Sequence, residues 1–186
     1  MGNCWFAAAM ANLTLHEKLF AKVVPPNQSF EKDYAGIFHF RFWKDGKWVN
    51  VVIDDHLPTI NNGKTLFFMD SEYENEFWSA LLEKAYAKLH GSYEALDAGW
   101  SRKGGVELSG GLSEVFTKKD EDFGNPKFFT ILKKAFERSS MMTADLLVPD
   151  GEFLEGETEN GLIYGHSYSI TKVCQAKTEL GNSKFL

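Results

Sequence analysis

Cysteine is scarce in this chain. Cys4 and Cys174 are the only two in 186 residues, too few for the disulfide framework on which small secreted domains rely. No apolar run approaches the ~18 residues that a membrane-spanning helix needs. The opening residues lack the basic segment of a signal peptide. Together these absences predict a reducing, cytoplasmic setting. Basic residues are also outnumbered: 20 Lys and Arg face 26 Asp and Glu, for a net charge of −6. No Lys/Arg cluster stands out, so nucleic acid and anionic membrane are poor candidate partners. Repeats are absent. Metal motifs fail as well. His16-Glu17 opens a zinc-protease His-Glu-x-x-His motif, but Phe20 stands where the second histidine belongs. That leaves His16 and Glu17 as a solvated first helical turn. Asp120-Glu121-Asp122-Phe123-Gly124 lacks the later ligands of an EF-hand loop.

What is present is core-forming material. Hydrophobic residues make up 44% and aromatics 15%, with 16 Phe and 5 Trp, enough for one ordinary domain or two small lobes. Helices are expected over 4–13 and 15–24, the second stopped by Pro25-Pro26. Phe38, Phe40 and Phe42 alternate with His39 and Arg41, and Asp45-Gly46 follows, which predicts a hairpin over 37–53. A short strand over 65–69 precedes the strongest helix, 76–89, whose wide apolar face carries Leu81, Leu82, Ala85 and Tyr86 and which Gly91 should stop. Glycines crowd 98–111, the expected boundary between lobes 1–109 and 110–186. Beyond it lie a charged loop over 118–126 and a helix over 127–138 with Phe128, Ile131, Leu132, Ala135 and Phe136 inward. A strand over 144–148, an exposed acidic loop over 149–161 and a strand over 166–175 complete the pattern. The fold class is α+β.

Chemistry concentrates at the start. Cys4 follows Gly2-Asn3 and enters the Trp5-Phe6-Ala7 segment, which places it at a helix N-terminus. Unpaired N–H groups and the positive dipole end favour a thiolate there, and the Cys4 amide could serve an oxyanion. Such help matters because a free thiol, with a pKa of roughly 8.5, is mostly protonated at neutral pH. The plainer alternative is a small buried hydrophobe. A nucleophilic thiolate needs a base. Of the five histidines, His39 reads as a surface or packed strand residue. His56, in Asp54-Asp55-His56, belongs to a loop cap or salt bridge more readily than to a metal site, since no further ligand cluster answers it. His166 opens a β-branched and aromatic run after Gly165, 162 positions beyond Cys4. That is somewhat more than the roughly 130–150 of papain-like proteases.

At this point a resemblance becomes specific. Gly2-Asn3-Cys4-Trp5-Phe6, Gln28-Ser29-Phe30, Tyr34-Ala35-Gly36-Ile37-Phe38-His39-Phe40, the run Asn75 to Lys88, Gly91-Ser92-Tyr93-Glu94-Ala95-Leu96 and Gly165-His166-Ser167-Tyr168-Ser169 resemble, in order, the calpain protease core. The resemblance implies a papain-like core of two lobes, the first mainly helical with a β-hairpin and the second β-rich. It implies a calcium-activated cysteine endopeptidase acting on proteins, with regulatory domains or a subunit as further partners. Cys4 and His166 are then the catalytic pair, and the Cys4 amide an oxyanion donor. Gly99 and Gly165 match the glycines whose backbones hold extended substrate, and Glu76 matches a calcium-binding carboxylate of the first lobe. The chain departs from the family's pattern in three places. The oxyanion glutamine would fall before Met1, no Asn-Pro-Trp occurs, and Asn3 stands where the commonest motif has Asp. The chain therefore reads as a core truncated at both ends. A catalytically inactive, protein-binding calpain-like domain is the alternative function, and papain-fold transglutamination a more distant one.

Overall fold

One helix organises the packing. α1, Cys4–Leu13, is apolar almost all round, and Trp5, Phe6, Ala8, Ala9, Met10, Asn12 and Leu13 are buried. Ala11 alone is exposed, and a helix with so little solvated surface belongs in the middle of a core. The structure, a computed structural model, describes residues 2–73, 75–117, 125–178 and 181–185. The Asp120–Gly124 run and most of the charged loop expected over 118–126 lie outside those residues.

α2, Glu17–Val23, is shorter than expected, with His16 as its N-cap. The hairpin forms as its turn residues dictate. Strand β1, Ile37–Lys44, pairs antiparallel with β2, Lys47–Asp54, in a register joining Lys44 to Lys47. Asp45 and Gly46 take φ of 49° and 79°, the mirror-image turn whose twist suits a two-residue hairpin. Phe38, Phe40 and Phe42 turn inward together. Two short strands follow, β3 at Thr59–Ile60 and β4 at Thr65–Leu66. α3, Trp78–His90, stops at Gly91, whose φ is 108°. α3 lays Leu81, Leu82, Ala85 and Tyr86 into the core, where the Tyr86 ring stacks on Phe6 with centroids 4.0 Å apart.

The glycine-rich stretch is not simply a boundary loop. It contains α4, Ser101–Ser109, capped by Gly110 in the left-handed region. Gly104 explains the helix. A Cβ there would lie 2.9 Å from the Ala9 Cβ, so the missing side chain lets α4 and α1 approach closely. That contact offsets the roughly 1 kcal/mol of helix propensity that glycine forfeits relative to alanine.

α5, Pro126–Glu137, starts where Asn125 accepts a hydrogen bond from the Lys127 N–H (2.9 Å), with Pro126 in the first turn. Its apolar side is less covered than the periodicity suggests. Phe128 is buried, whereas Ile131 and Phe136 are 41% and 37% exposed. α5 and α4 flank an open groove of about 460 Å³ instead of closing on each other. Strand β5, Thr143–Leu146, pairs antiparallel with β6, His166–Ser169. The single strand expected over 166–175 breaks after Ser169. The Ile170 N–H makes a last bond to the Met142 carbonyl (2.9 Å), and the chain before Met142 turns away at Ser139, φ 58°. β7, Cys174–Thr178, pairs instead with β8, Gly181–Phe185. The acidic loop is exposed, and its carboxylates form no three-residue metal cluster among the described residues. No described helix is long and apolar enough to cross a membrane.

Truncating Leu82, which is 0% exposed, should cost about 2–5 kcal/mol of unfolding free energy, and Ile131→Ala less than about 1 kcal/mol. Urea denaturation of the two variants checks this. Equal losses would mean that the α5 face is as buried as its periodicity implies.

Candidate active site

Cys4 is the first residue of α1 and half-buried, with its thiol free. The Asn3 carbonyl starts the helix by accepting from Phe6 N–H (2.9 Å) and Ala7 N–H (3.1 Å). The Cys4 N–H has no partner among the described residues, as expected at a helix N-terminus. The loop over 96–99 wraps this end. The Gly2 N–H donates to Asp97 Oδ1 (2.5 Å), the Ala98 N–H to the Gly2 carbonyl (3.0 Å), and the Trp5 indole N–H to the Leu96 carbonyl (3.0 Å).

Gly99 is exposed, and a Cβ on it would stand 2.3 Å from Trp5 Cε2. Glycine is thus required there by the buried indole beneath it, whatever else its backbone does. Gly165 combines both reasons for a glycine. Its φ is 73°, and a Cβ would meet Leu154 Cδ1 at 2.3 Å. Its N–H donates to the Leu146 carbonyl (2.7 Å), and its own carbonyl lies 3.9 Å from Cys4 Sγ. The thiol therefore faces the backbone of the residue just before His166. His166 itself is exposed, pairs with Leu146 across the strands, and sets its ring edge-on to Tyr168 at 5.1 Å. No hydrogen bond joins Cys4 to His166 among the described residues. The Cys4 thiol and the Gly165 carbonyl meet at one end of α1, with His166 next in sequence to Gly165; Gly99 lies on the wrapping loop.

A buried carboxylate underlies the same helix end. Glu83 of α3 is 1% exposed. It accepts from the Asn3 side-chain amide and from the Met69 N–H (2.9 Å). Burial pushes its carboxyl above the ordinary range, and the two donors only partly offset this. Nothing in the sequence pairs Asn3 with Glu83. The one available signal is an acid set among Leu82, Ala85 and Tyr86 on an apolar face.

Glu76 is exposed, and both its oxygens are engaged, by the Ser71 hydroxyl (2.6 Å) and the Trp78 indole N–H (3.0 Å). It belongs to no group of three or more potential ligands among the described residues. Asp54-Asp55-His56 is such a group, but Lys84 Nζ lies 2.6 Å from Asp54 Oδ1 and holds that carboxylate well below the usual range. His56 donates its N–H to the same oxygen (2.9 Å). The cap and salt bridge expected from sequence is what forms. His39 exchanges both backbone groups with the Gln28 side chain, a packed strand role. His16 is half-buried, with Nε2 shielded and unpartnered, so only Glu17 is solvated as expected.

The whole chain, residues 1–186, matches the family described as calpain family cysteine protease. It is 58% identical to Calpain-A of Drosophila melanogaster over 94% of this chain and 20% of that protein. To Calpain clp-4 of Caenorhabditis elegans it is 48% identical over 93% of this chain and 24% of that protein. The Calpain-2 catalytic subunit of Gallus gallus is 47% identical over 92% of this chain and 24% of that protein. The chain thus spans about a fifth to a quarter of the length of these curated relatives.

Glu83 generates a pH prediction. Its raised value means that the folded state holds a proton over a window, above the ordinary carboxylate range, where the unfolded chain has released it. Stability from this group is therefore present at low pH and lost as pH rises through the folded value. Glu83→Gln removes that slope, so the stability of wild type relative to the variant should fall as pH rises from 4.5 to 7.5 in paired urea titrations. A difference independent of pH would show that Glu83 is not titrating in the fold.

Proposed function

The chain belongs to the calpain family of cysteine proteases, and on that premise we propose that it carries the reacting pair of an intracellular cysteine endopeptidase, with Cys4 as nucleophile and His166 as its acid and base. The observation that carries this reading is the 3.9 Å contact between Cys4 Sγ and the Gly165 carbonyl, which brings together residues far apart in sequence. The division proposed is the one expected from sequence, residues 1–109 holding the nucleophile and 110–186 the histidine.

Chemistry follows from these groups. The His166 imidazolium stabilises the Cys4 thiolate, which attacks a peptide carbonyl of an unfolded or extended protein substrate. The free Cys4 N–H, at the positive end of α1, donates to the developing oxyanion. His166 then protonates the departing amine. Gly99 supports an extended substrate through its backbone: neither its N–H nor its carbonyl is used among the described residues, so both are available for strand-like pairing. The Gly165 carbonyl, beside the thiol, is the second such group.

Calcium is the activating ion that the resemblance implies, through Glu76. The described residues do not build a cage for it. Calcium takes 6–8 oxygen ligands, whereas Glu76 is a single carboxylate already holding two donors. No step above runs through the ion. Regulatory domains or a subunit remain the proposed partners beyond protein substrates.

Alkylation by iodoacetamide tests the pair, with Cys174 as internal reference. At pH 6 Cys4 should react well ahead of Cys174, His166→Ala should abolish the lead, and calcium should enlarge it if the ion tightens the site. Equal rates for the two thiols with and without calcium would sink the reading and favour a protein-binding domain. In the full-length protein, Cys4→Ala should reduce cleavage of a denatured protein by about 10³-fold or more; retained cleavage would place the nucleophile elsewhere.

A further inference from the structure

Asn12 is the one polar side chain among the buried residues of α1, and it is 1% exposed. A buried amide needs partners, and this one finds all of them at the β5–β6 pair, whose second strand carries His166. Its Nδ2 donates to the Met142 carbonyl and to Ser169 Oγ (2.6 Å), and its Oδ1 accepts from the Met142 N–H (3.0 Å). Both backbone groups of Met142 are thereby paired by one side chain, as a neighbouring strand would pair them. Met142 directly precedes β5, and Ser169 ends β6.

We infer that Asn12 is a positioning residue for the Cys4–His166 pair, locking the helix that bears the thiol in register with the strands that bear the imidazole. The inference rests on the proposed roles of Cys4 and His166. α1 and β6 lie side by side and touch at two matched points. Cys4 meets Gly165 at one, and Asn12 meets Ser169 at the other. Eight helical residues from Cys4 to Asn12 rise ~12 Å, and four strand residues from Gly165 to Ser169 span ~13 Å. The two elements thus keep step between the contacts.

The contacts are unequal. A thiol 3.9 Å from a carbonyl is a weak bond, while a fully paired amide in a dry interior is a directional one. The strong end therefore sets where the weak end falls. A second tie lies nearby, where Ser101 of α4 holds Thr143 Oγ1 (2.7 Å) and Asp145 Oδ2 (2.9 Å) of β5. It fixes β5 to α4 and leaves the step between α1 and β6 to Asn12.

The test reads the ratio of Cys4 to Cys174 alkylation by iodoacetamide across about pH 5–8, the range in which histidine titrates. It uses the wild type, Asn12→Asp, Ser169→Ala, Leu13→Ala and His166→Ala, each at a temperature where circular dichroism shows it folded. Asn12→Asp is isosteric and keeps the acceptor for the Met142 N–H but loses the donor when ionised. It should lower the ratio near pH 6 by about tenfold, and Ser169→Ala by less. Leu13→Ala removes an equally buried side chain next door and should lose stability while keeping the wild-type ratio. The inference is overturned if Asn12→Asp and Ser169→Ala keep the wild-type ratio, or if Leu13→Ala lowers it as much as Asn12→Asp. Should Asn12→Asp fail to fold, Ser169→Ala against Leu13→Ala decides. His166→Ala separates the two proposals: if it leaves the ratio unchanged, the Cys4–His166 pairing itself fails. If it abolishes a lead that Asn12→Asp preserves, only the role of Asn12 fails.

Discussion

The burial of α1 on nearly every side is the constraint from which the rest of the structure follows. A helix with so little solvated surface must have most of it matched by other elements, and the matches come from distant parts of the chain. Tyr86 of α3 stacks on Phe6, Gly104 of α4 admits Ala9, and Met142 and Ser169 receive Asn12. The thiol at its first residue therefore has little freedom. Its location is decided by packing along ten residues, most of which take no part in chemistry.

Two carboxylates of α3 and α4, one buried and one half-buried, show how the same core handles charge in opposite ways. Glu83 has only neutral donors, the Asn3 amide and the Met69 N–H, so burial wins and its carboxyl is raised. Burial also pushes Glu107 of α4 up, but the bonds from His90 (2.9 Å) and the Tyr86 hydroxyl outweigh it, and this carboxyl is held low. The difference lies in the nearby lysines, Lys44 at 3.8 Å and Lys103, together with the His90 and Tyr86 hydrogen bonds. Glu107 joins α3 to α4 as an ion would. Glu83 joins the residue before the thiol to α3 through neutral donors alone.

Much of this was legible from residue patterns, and the failures are instructive. The α1 boundaries, the Asp45-Gly46 turn and the stop at Gly91 rest on local rules of burial, turn chemistry and capping, and they appear where those rules put them. Cys4 and His166 were legible as residue types in suitable local settings. Besides the shorter α2 and the half-buried His16, three readings fail for identifiable reasons. Gly104 looked like punctuation and is a helix contact, because its reason lies in Ala9, far away in sequence. The face of α5 looked buried because periodicity reports which side is apolar, not whether anything covers it. The 166–175 strand was read as continuous because β propensity carries no information about where its partner ends.

The sequence by itself determined the α+β elements, the apolar character of α1 and the placing of Cys4 at its first residue, since each depends on neighbours a few residues away. Only the tertiary structure decided that Asn3 meets Glu83, that Asn12 meets Met142 and Ser169, and that the Cys4 thiol faces the Gly165 carbonyl. These contacts bridge 80 residues or more. Their pairing is chosen by the packing of whole elements, where one polar group can be satisfied only by the particular partner that the close-packed core brings opposite it.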